Sequence, residues 1–205
     1  MFKTHPVDLY DFVYSWKNYT KESQTIRAFA AEFGFQPGQT VLEVACGTGR
    51  YLEHFSDCKQ IGIDLCERSL QLAKQRTPKG VFLQADMANF QLPEQVDIIL
   101  SLFGAYGYLI TNDQKNNAIQ AMVNNLRPGG LLVLQPWLEP ADFQVGQTYL
   151  QTYESPNMMV SRMVTTQLKG DVSVLEFHFL VSRSGFKTEY LKCMDQLKLS
   201  PHSEL

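Results

Sequence analysis

The stretch Val41-Leu42-Glu43-Val44-Ala45-Cys46-Gly47-Thr48-Gly49 decides the fold. Its first half is a short apolar run of the kind that forms a strand covered on both faces. Its second half is a glycine turn that lets backbone approach a ligand closely, with a helix expected to begin near Arg50. Upstream, the Pro37-Gly38 turn separates this strand from a helix following Thr20. In that helix Ile26, Phe29, Ala30 and Phe33 share one face, and Gly34 stands at the C′ position. Downstream, Gln60–Asp64, Val81–Ala85, Val96–Ser101 and Leu131–Pro136 read as further parallel strands. The best intervening helix carries Ile119, Met122, Val123 and Leu126 and ends before Pro128-Gly129-Gly130. Alternating strands and helices predict an α/β fold with a doubly wound open sheet.

Beyond Pro140 the pattern changes. Met158–Gln167 and Val172–Arg183 flank Lys169-Gly170-Asp171, and Leu175, Phe177, Phe179 and Val181 alternate with polar neighbours. An antiparallel hairpin with one apolar face follows, expected over the carboxyl ends of the parallel strands. Leu191, Met194 and Leu197 share a spacing that suits one short helix.

The 205 residues are 44% hydrophobic and 19% charged, with a formal net charge of −3, so one compact domain needs no metal or disulfide to complete its core. No Lys/Arg run offers an electrostatic footprint for a phosphate backbone, which argues against nucleic acid as a partner. Four cysteines without C-x-x-C spacing, an N-terminus without an apolar leader region and no span-length apolar run suggest a cytoplasmic protein with no membrane partner.

The glycine turn lacks the third glycine of a dinucleotide site, because Leu52 occupies that position; it suits a nucleoside ligand without a pyrophosphate better than NAD. Asp64, ending the second strand, stands where an acid accepts hydrogen bonds from a ribose diol. Asp86 ends the third, placed to accept from an adenine amino group, with Met87 offering a soft contact to the ring. A lone strand-end Asp commonly caps a helix. Three such features, at the ends of three successive strands, favour a ligand site.

With the Leu126-Arg127-Pro128-Gly129-Gly130 turn, these residues resemble the class I S-adenosylmethionine-dependent methyltransferases, which implies a Rossmann-like fold. A narrower resemblance is to the small-molecule N,N-dimethyltransferases of nucleotide-linked amino sugars. It rests on Tyr10-Asp11, Tyr14, Tyr19, V-A-C-G-T-G, Asp86-Met87, Phe103, Gly107-Tyr108-Leu109, Pro136-Trp137, Pro140 and Phe143. It implies S-adenosylmethionine bound by Tyr19, Ala45, Gly47, Thr48, Gly49, Asp64, Leu65, Asp86, Met87 and Leu102, and a substrate facing Tyr14, Pro136 and Trp137. It also implies a single methyltransferase domain over residues 1–205, divided into a helical cap (1–36), a cofactor core (37–140), a hairpin (141–183) and an atypical short tail (184–205). A homodimer is compatible with this reading. Two departures are Gln135, where the family has glutamate, and Asn125, where it often has histidine. After Arg183 the match fails, so a final helix and two edge strands are expected to be missing.

Methyl transfer from a sulfonium asks the protein chiefly to hold a neutral amine lone pair against the methyl carbon. His5, His54, His178 and His202 lie outside the loops after the fourth and fifth strands, so the amine's proton would go to water, Tyr108 or Glu139. Tyr14 and Tyr108 are the catalytic candidates. Tyr14 and Tyr19 either face a cationic ligand or pack, with Phe12 and Trp16, against the sheet. Trp137 reads as a substrate-pocket wall or a core plug. Cys46, without a neighbouring base, reads as a small buried filler. Arg162 and His178 read as solvated residues of the hairpin, although an arginine there could meet a sugar phosphate. Rival activities are O-methylation of a small molecule, non-catalytic cofactor binding and NAD-dependent oxidoreduction.

Overall fold

A computed structural model describes residues 6–201, which places His5 and His202 outside the described residues. In chain order the elements are α1 (Val7–Val13), α2 (Tyr19–Glu32), β1 (Thr40–Val44), β2 (Lys59–Asp64), α3 (Glu67–Arg76), β3 (Val81–Gln84), β4 (Val96–Ser101), α4 (Asn112–Asn125), β5 (Leu126–Leu134), β6 (Thr148–Ser155), β7 (Met158–Lys169), β8 (Val172–Arg183) and β9 (Glu189–Lys198). They form two compact units: Lys17–Pro136, and the segments before and after it.

The first unit is a five-stranded sheet in the order β3-β2-β1-β4-β5, parallel throughout. Successive residues of β1 serve opposite cores. Leu42 and Val44 join Ile63, Ile99 and Met122 of α4, while Val41 joins Ile98, Leu100, Phe55 and Ala30 of α2. Covering both faces is what makes these strands continuous apolar runs, and each such side chain contributes about 1.5–3 kcal/mol by leaving water. β2 and β4 flank β1 on opposite sides, so the order turns at β1 and the crevice for a ligand lies at its carboxyl end.

The expected helix faces are met in part: Ile26 and Ala30 of α2, and Ile119 and Met122 of α4 with Leu126 after it, pack on the two cores. α2 buries Tyr19, Ser23 and Ala30 and leaves Phe29 and Phe33 exposed against each other, with ring centroids 5.0 Å apart. α4, opened by a Thr111–Gln114 capping box, buries Ala118, Ala121, Met122 and Asn125 and exposes Val123. In α2 the small Ala30 meets the core while Phe29 and Phe33 do not. Asn125 accepts from Leu92 N and donates to the Phe90 and Ala121 carbonyls, tying α4 to the loop before β4. β5 begins earlier than expected: Leu126 pairs with Val96 and the register then jumps to Leu131↔Ile98, so Pro128-Gly129-Gly130 bulges out of a strand and does not precede it. In place of the helix expected near Arg50 stands a single short 3₁₀ turn, Leu52–Phe55.

The second unit is an antiparallel sheet in the order β6-β7-β8-β9. α1 covers one face of it through Leu9 and Val13, which pack on Val160, Val164, Phe177, Phe179 and Val181. The expected hairpin is β7–β8. The tail forms β9, not a helix: it pairs with β8 from Val172↔Lys198 to Val181↔Glu189. Cys193, Asp195 and Leu197 face inward there, while Tyr190 and Met194 are exposed. Cross-strand hydrogen bonds over the whole length of β8 overrule a three-residue spacing that helix and strand share only in part. Among the described residues no helix is long and apolar enough to cross a membrane.

Candidate functional site

At the carboxyl end of β1 the chain enters the left-handed region three times in five residues, at Ala45 (φ 57°), Gly47 (φ 52°) and Gly49 (φ 75°). The alanine is the telling one, since an L side chain rarely adopts this conformation and such strain clusters at functional sites. The turn is fixed by Cys46 N–H donating to the Ile63 carbonyl, Gly49 N–H donating to the Cys46 carbonyl, and the Arg76 guanidinium donating to the Thr48 carbonyl. Gly49 is required by its φ, and space there is tight: a Cβ would stand 3.0 Å from Ala73 Cβ on α3.

Asp64, almost fully buried at the end of β2, accepts from Gly47 N–H at 2.9 Å through one carboxylate oxygen and from Cys66 N–H at 2.8 Å through the other. It therefore does what a capping residue does and also fastens the glycine bend. Each oxygen keeps a second lone pair for a ligand. Burial raises its pKa, with the backbone N–H groups of Cys66 and Gly47 pulling the other way. Asp86 is exposed beyond β3 and accepts from Ala88 N–H at 2.9 Å, while Met87 is buried beside it and Leu65 is exposed after β2. Leu102 is buried at the end of β4, and Phe103, the other non-glycine in the left-handed region (φ 54°), follows it. Gln135 accepts from Phe103 N–H at 2.7 Å, so its amide holds this strained residue. Pro136 and Tyr108 are half-buried.

Two features of this unit escaped the sequence reading. Glu43, an acid inside an apolar strand, is 3% exposed, and its Oε2 has no hydrogen-bond partner among the described residues. Burial, reinforced by nearby Asp64, drives its pKa well above the ordinary carboxylate range. The lone Glu between Leu42 and Val44 was the available signal. The second is a cation cage. Lys17 Nζ lies 4.4 Å from the Phe103 ring centroid, 5.5 Å from Tyr19 and 5.7 Å from Tyr51, and bonds both Glu22 carboxylate oxygens at 2.7 Å. The Arg50 guanidinium lies 4.9 Å from the Tyr19 centroid, and the Tyr51 hydroxyl donates to Glu22. Three of these residues precede the glycine bend by about twenty-five residues or more, too far for any local pattern.

Tyr14 and Trp137 belong to the second unit. Trp137 Nε1–H donates to Ser173 Oγ at 2.9 Å, and that hydroxyl donates to the Leu197 carbonyl. Tyr14 ends α1 against Arg162, whose guanidinium carbon lies 5.1 Å from its ring centroid. Burial raises the Tyr14 pKa, Arg162 opposes this and Asp195 adds to it. Arg162 is buried, against the expectation of a solvated residue; on the inward face of β7 it lies between the rings of Tyr14 and Tyr153. His178 does lie on the outer face, bonded to Glu176 and Tyr190. Trp16 is exposed and Phe12 packs on Tyr153.

An open parallel sheet with a strained glycine bend at its turning point and acids after the next two strands defines a nucleoside-binding α/β protein. Residues 41–130 match the family model described as a methyltransferase domain. Over 189 residues, 90% of this chain and 79% of the relative, the sequence is 31% identical to the dTDP-3-amino-3,4,6-trideoxy-alpha-D-glucopyranose N,N-dimethyltransferase of Streptomyces venezuelae. Among solved structures, DesVI from Streptomyces venezuelae superposes with a TM-score of 0.89 at 28% identity, covering 98% of this chain and 87% of that one. CalS10 from Micromonospora echinaspora, an amino pentose methyltransferase solved with S-adenosylmethionine bound, gives 0.83 at 26% identity, over 98% and 85%. The chain belongs to the class I S-adenosylmethionine-dependent methyltransferases, among the amino-sugar N,N-dimethyltransferases.

The residues at the end of β1 fit that cofactor. A buried Glu43 oxygen left without a partner, a left-handed backbone bend beside it, and an acid with free lone pairs at the adjacent strand end are what a polar nucleoside ligand requires.

Proposed function

We propose that this enzyme methylates the amine of a nucleotide-linked amino sugar, with S-adenosylmethionine as donor. The observation that carries the reading is the likeness to amino-sugar methyltransferases over nearly the whole chain, antiparallel sheet included. Asp64 takes the ribose diol and Asp86 the adenine amino group. Leu65, Met87 and Leu102 line the adenine. Ala45, Gly47, Thr48 and Gly49 give the backbone approach, and Tyr19 gives an aromatic face to the positive charge. When bound, S-adenosylmethionine supplies the methyl group as a sulfonium electrophile. Tyr14, Pro136 and Trp137 face the acceptor, and Tyr108 is the candidate to take the amine's proton. Tyr14, its pKa raised by burial, remains a neutral phenol near pH 7 and can donate a hydrogen bond. The chain's work is therefore positioning and desolvation, with a small-molecule acceptor, no nucleic-acid or membrane partner and a cytoplasmic address.

The test is mass analysis of a dTDP-linked amino sugar incubated with enzyme and S-adenosylmethionine. The expected product gains one and then two methyl groups on nitrogen. A product methylated on oxygen, or cofactor binding without product across amine and hydroxyl acceptors, would overturn the proposal.

A further inference from the structure

The inward face of the antiparallel sheet should be wholly apolar where it packs on α1, yet at the middle of β7 it carries an arginine. Arg162 is 7% exposed, flanked across the strands by Gln151 of β6 and Phe179 of β8. Its guanidinium carbon lies 5.1 Å from the Tyr14 ring centroid and 5.5 Å from that of Tyr153, and the Tyr14 side chain is hydrogen-bonded to the arginine. Nη2 donates to Gln151 Oε1. The Nε–H, on the same edge of the fork, is buried with no acceptor among the described residues. Asp195 of β9 is the acid buried on this face.

Arginine presents donors in a rigid plane that matches a carboxylate or phosphate with two parallel bonds. Here the side chain is oriented in advance by the Gln151 amide and the Tyr14 side chain, both neutral, while the Nε–H donor of a charged group is left unsatisfied at a cost that a purely structural role would avoid. From that geometry we infer that Arg162 anchors the acceptor through an oxyanion, the diphosphate that links its sugar to a nucleoside. This inference rests on the proposed function for the identity of the acceptor.

The experiment compares wild type, Arg162→Gln and Arg162→Lys in three measurements: kinetics with the nucleotide-linked amino sugar, kinetics with the same amino sugar lacking the nucleotide, and calorimetric titration with a nucleoside diphosphate alone. For Arg162→Gln the KM for the linked sugar should rise at least tenfold, with kcat within threefold and S-adenosylhomocysteine binding unchanged. Nucleoside diphosphate affinity should fall by the same factor as KM, and the small rate with the unlinked sugar should not move. Arg162→Lys, a point charge without the fork, should fall between the two and serves as the test if the glutamine variant does not fold. Unaltered diphosphate affinity, or equal losses in kcat for both sugars, would overturn the inference and leave Arg162 only packing Tyr14. If wild type methylates neither sugar, the proposed acceptor is wrong; the titration then still decides whether Arg162 binds a diphosphate.

Discussion

The two sheets prepare for chemistry in opposite ways. At the end of β1 the preparation is in the backbone: three left-handed residues in five, a glycine pressed on Ala73, and an acid that spends both oxygens on main-chain N–H groups. On the antiparallel sheet the backbone is regular and the polar groups are side chains, with Tyr14, Tyr153, Gln151 and Arg162 gathered on the face that also buries Asp195. A cofactor common to many reactions can be gripped by main chain, which any side-chain variation leaves in place. An acceptor that differs between enzymes would be read by side chains, which can change, and that is the role proposed for Arg162.

That contrast breaks first at Asp64. Replacing it with alanine removes the proposed ribose contacts and the anchor of Gly47, so S-adenosylhomocysteine affinity should fall by about 100-fold or more, since two hydrogen bonds to a charged group are worth about 3 kcal/mol together. Calorimetry checks this, and an affinity within about threefold of wild type would contradict it. Next is Gly49→Ala, which combines a strained φ of 75° with a Cβ 3.0 Å from Ala73 Cβ. The expected loss is about 3 kcal/mol of unfolding free energy, read from denaturant midpoints.

Glu43 sharpens the comparison through pH. Its pKa is raised in the folded state, as is that of Asp64, so the folded protein holds protons that the unfolded chain has released. The stability these groups contribute is present in full below the ordinary carboxylate range and is lost as pH rises toward their raised values, by about 1.4 kcal/mol per pH unit for each proton retained. Glu43→Gln removes one of them, so the decline of melting temperature with rising pH should become shallower and the variant should exceed wild type near pH 7. The smallest effect is expected from Trp137→Phe, which gives up one partly buried hydrogen bond to Ser173 for about 1 kcal/mol, leaving S-adenosylhomocysteine affinity unchanged.

Much of the first unit was legible in the sequence because strands covered on both faces read as unbroken apolar runs: β1, β2 and β4 stand within a residue of where they are expected. Asp64 and the glycine bend were legible for a related reason, as departures from those runs at fixed places. The rest depended on partners distant in the chain. β6 is an edge strand, mostly exposed, with little apolar alternation to reveal it. β9 takes its conformation from β8, and Leu191, Met194 and Leu197 considered alone favour the wrong period. Arg162 looked like a solvated residue because neither Tyr14 nor Tyr153 is near it in sequence. The Lys17 cage joins the start of α2, the glycine bend and the end of β4 and was invisible for the same reason.

The most direct test of the account is a calorimetric titration of the wild-type protein with S-adenosylhomocysteine, repeated with NADH. Saturable heat with the first at one site per chain and none with the second is the predicted result. No heat with S-adenosylhomocysteine, or binding of NADH in its place, would contradict the assignment of the glycine bend and its two neighbouring acids to the nucleoside of a methyl donor.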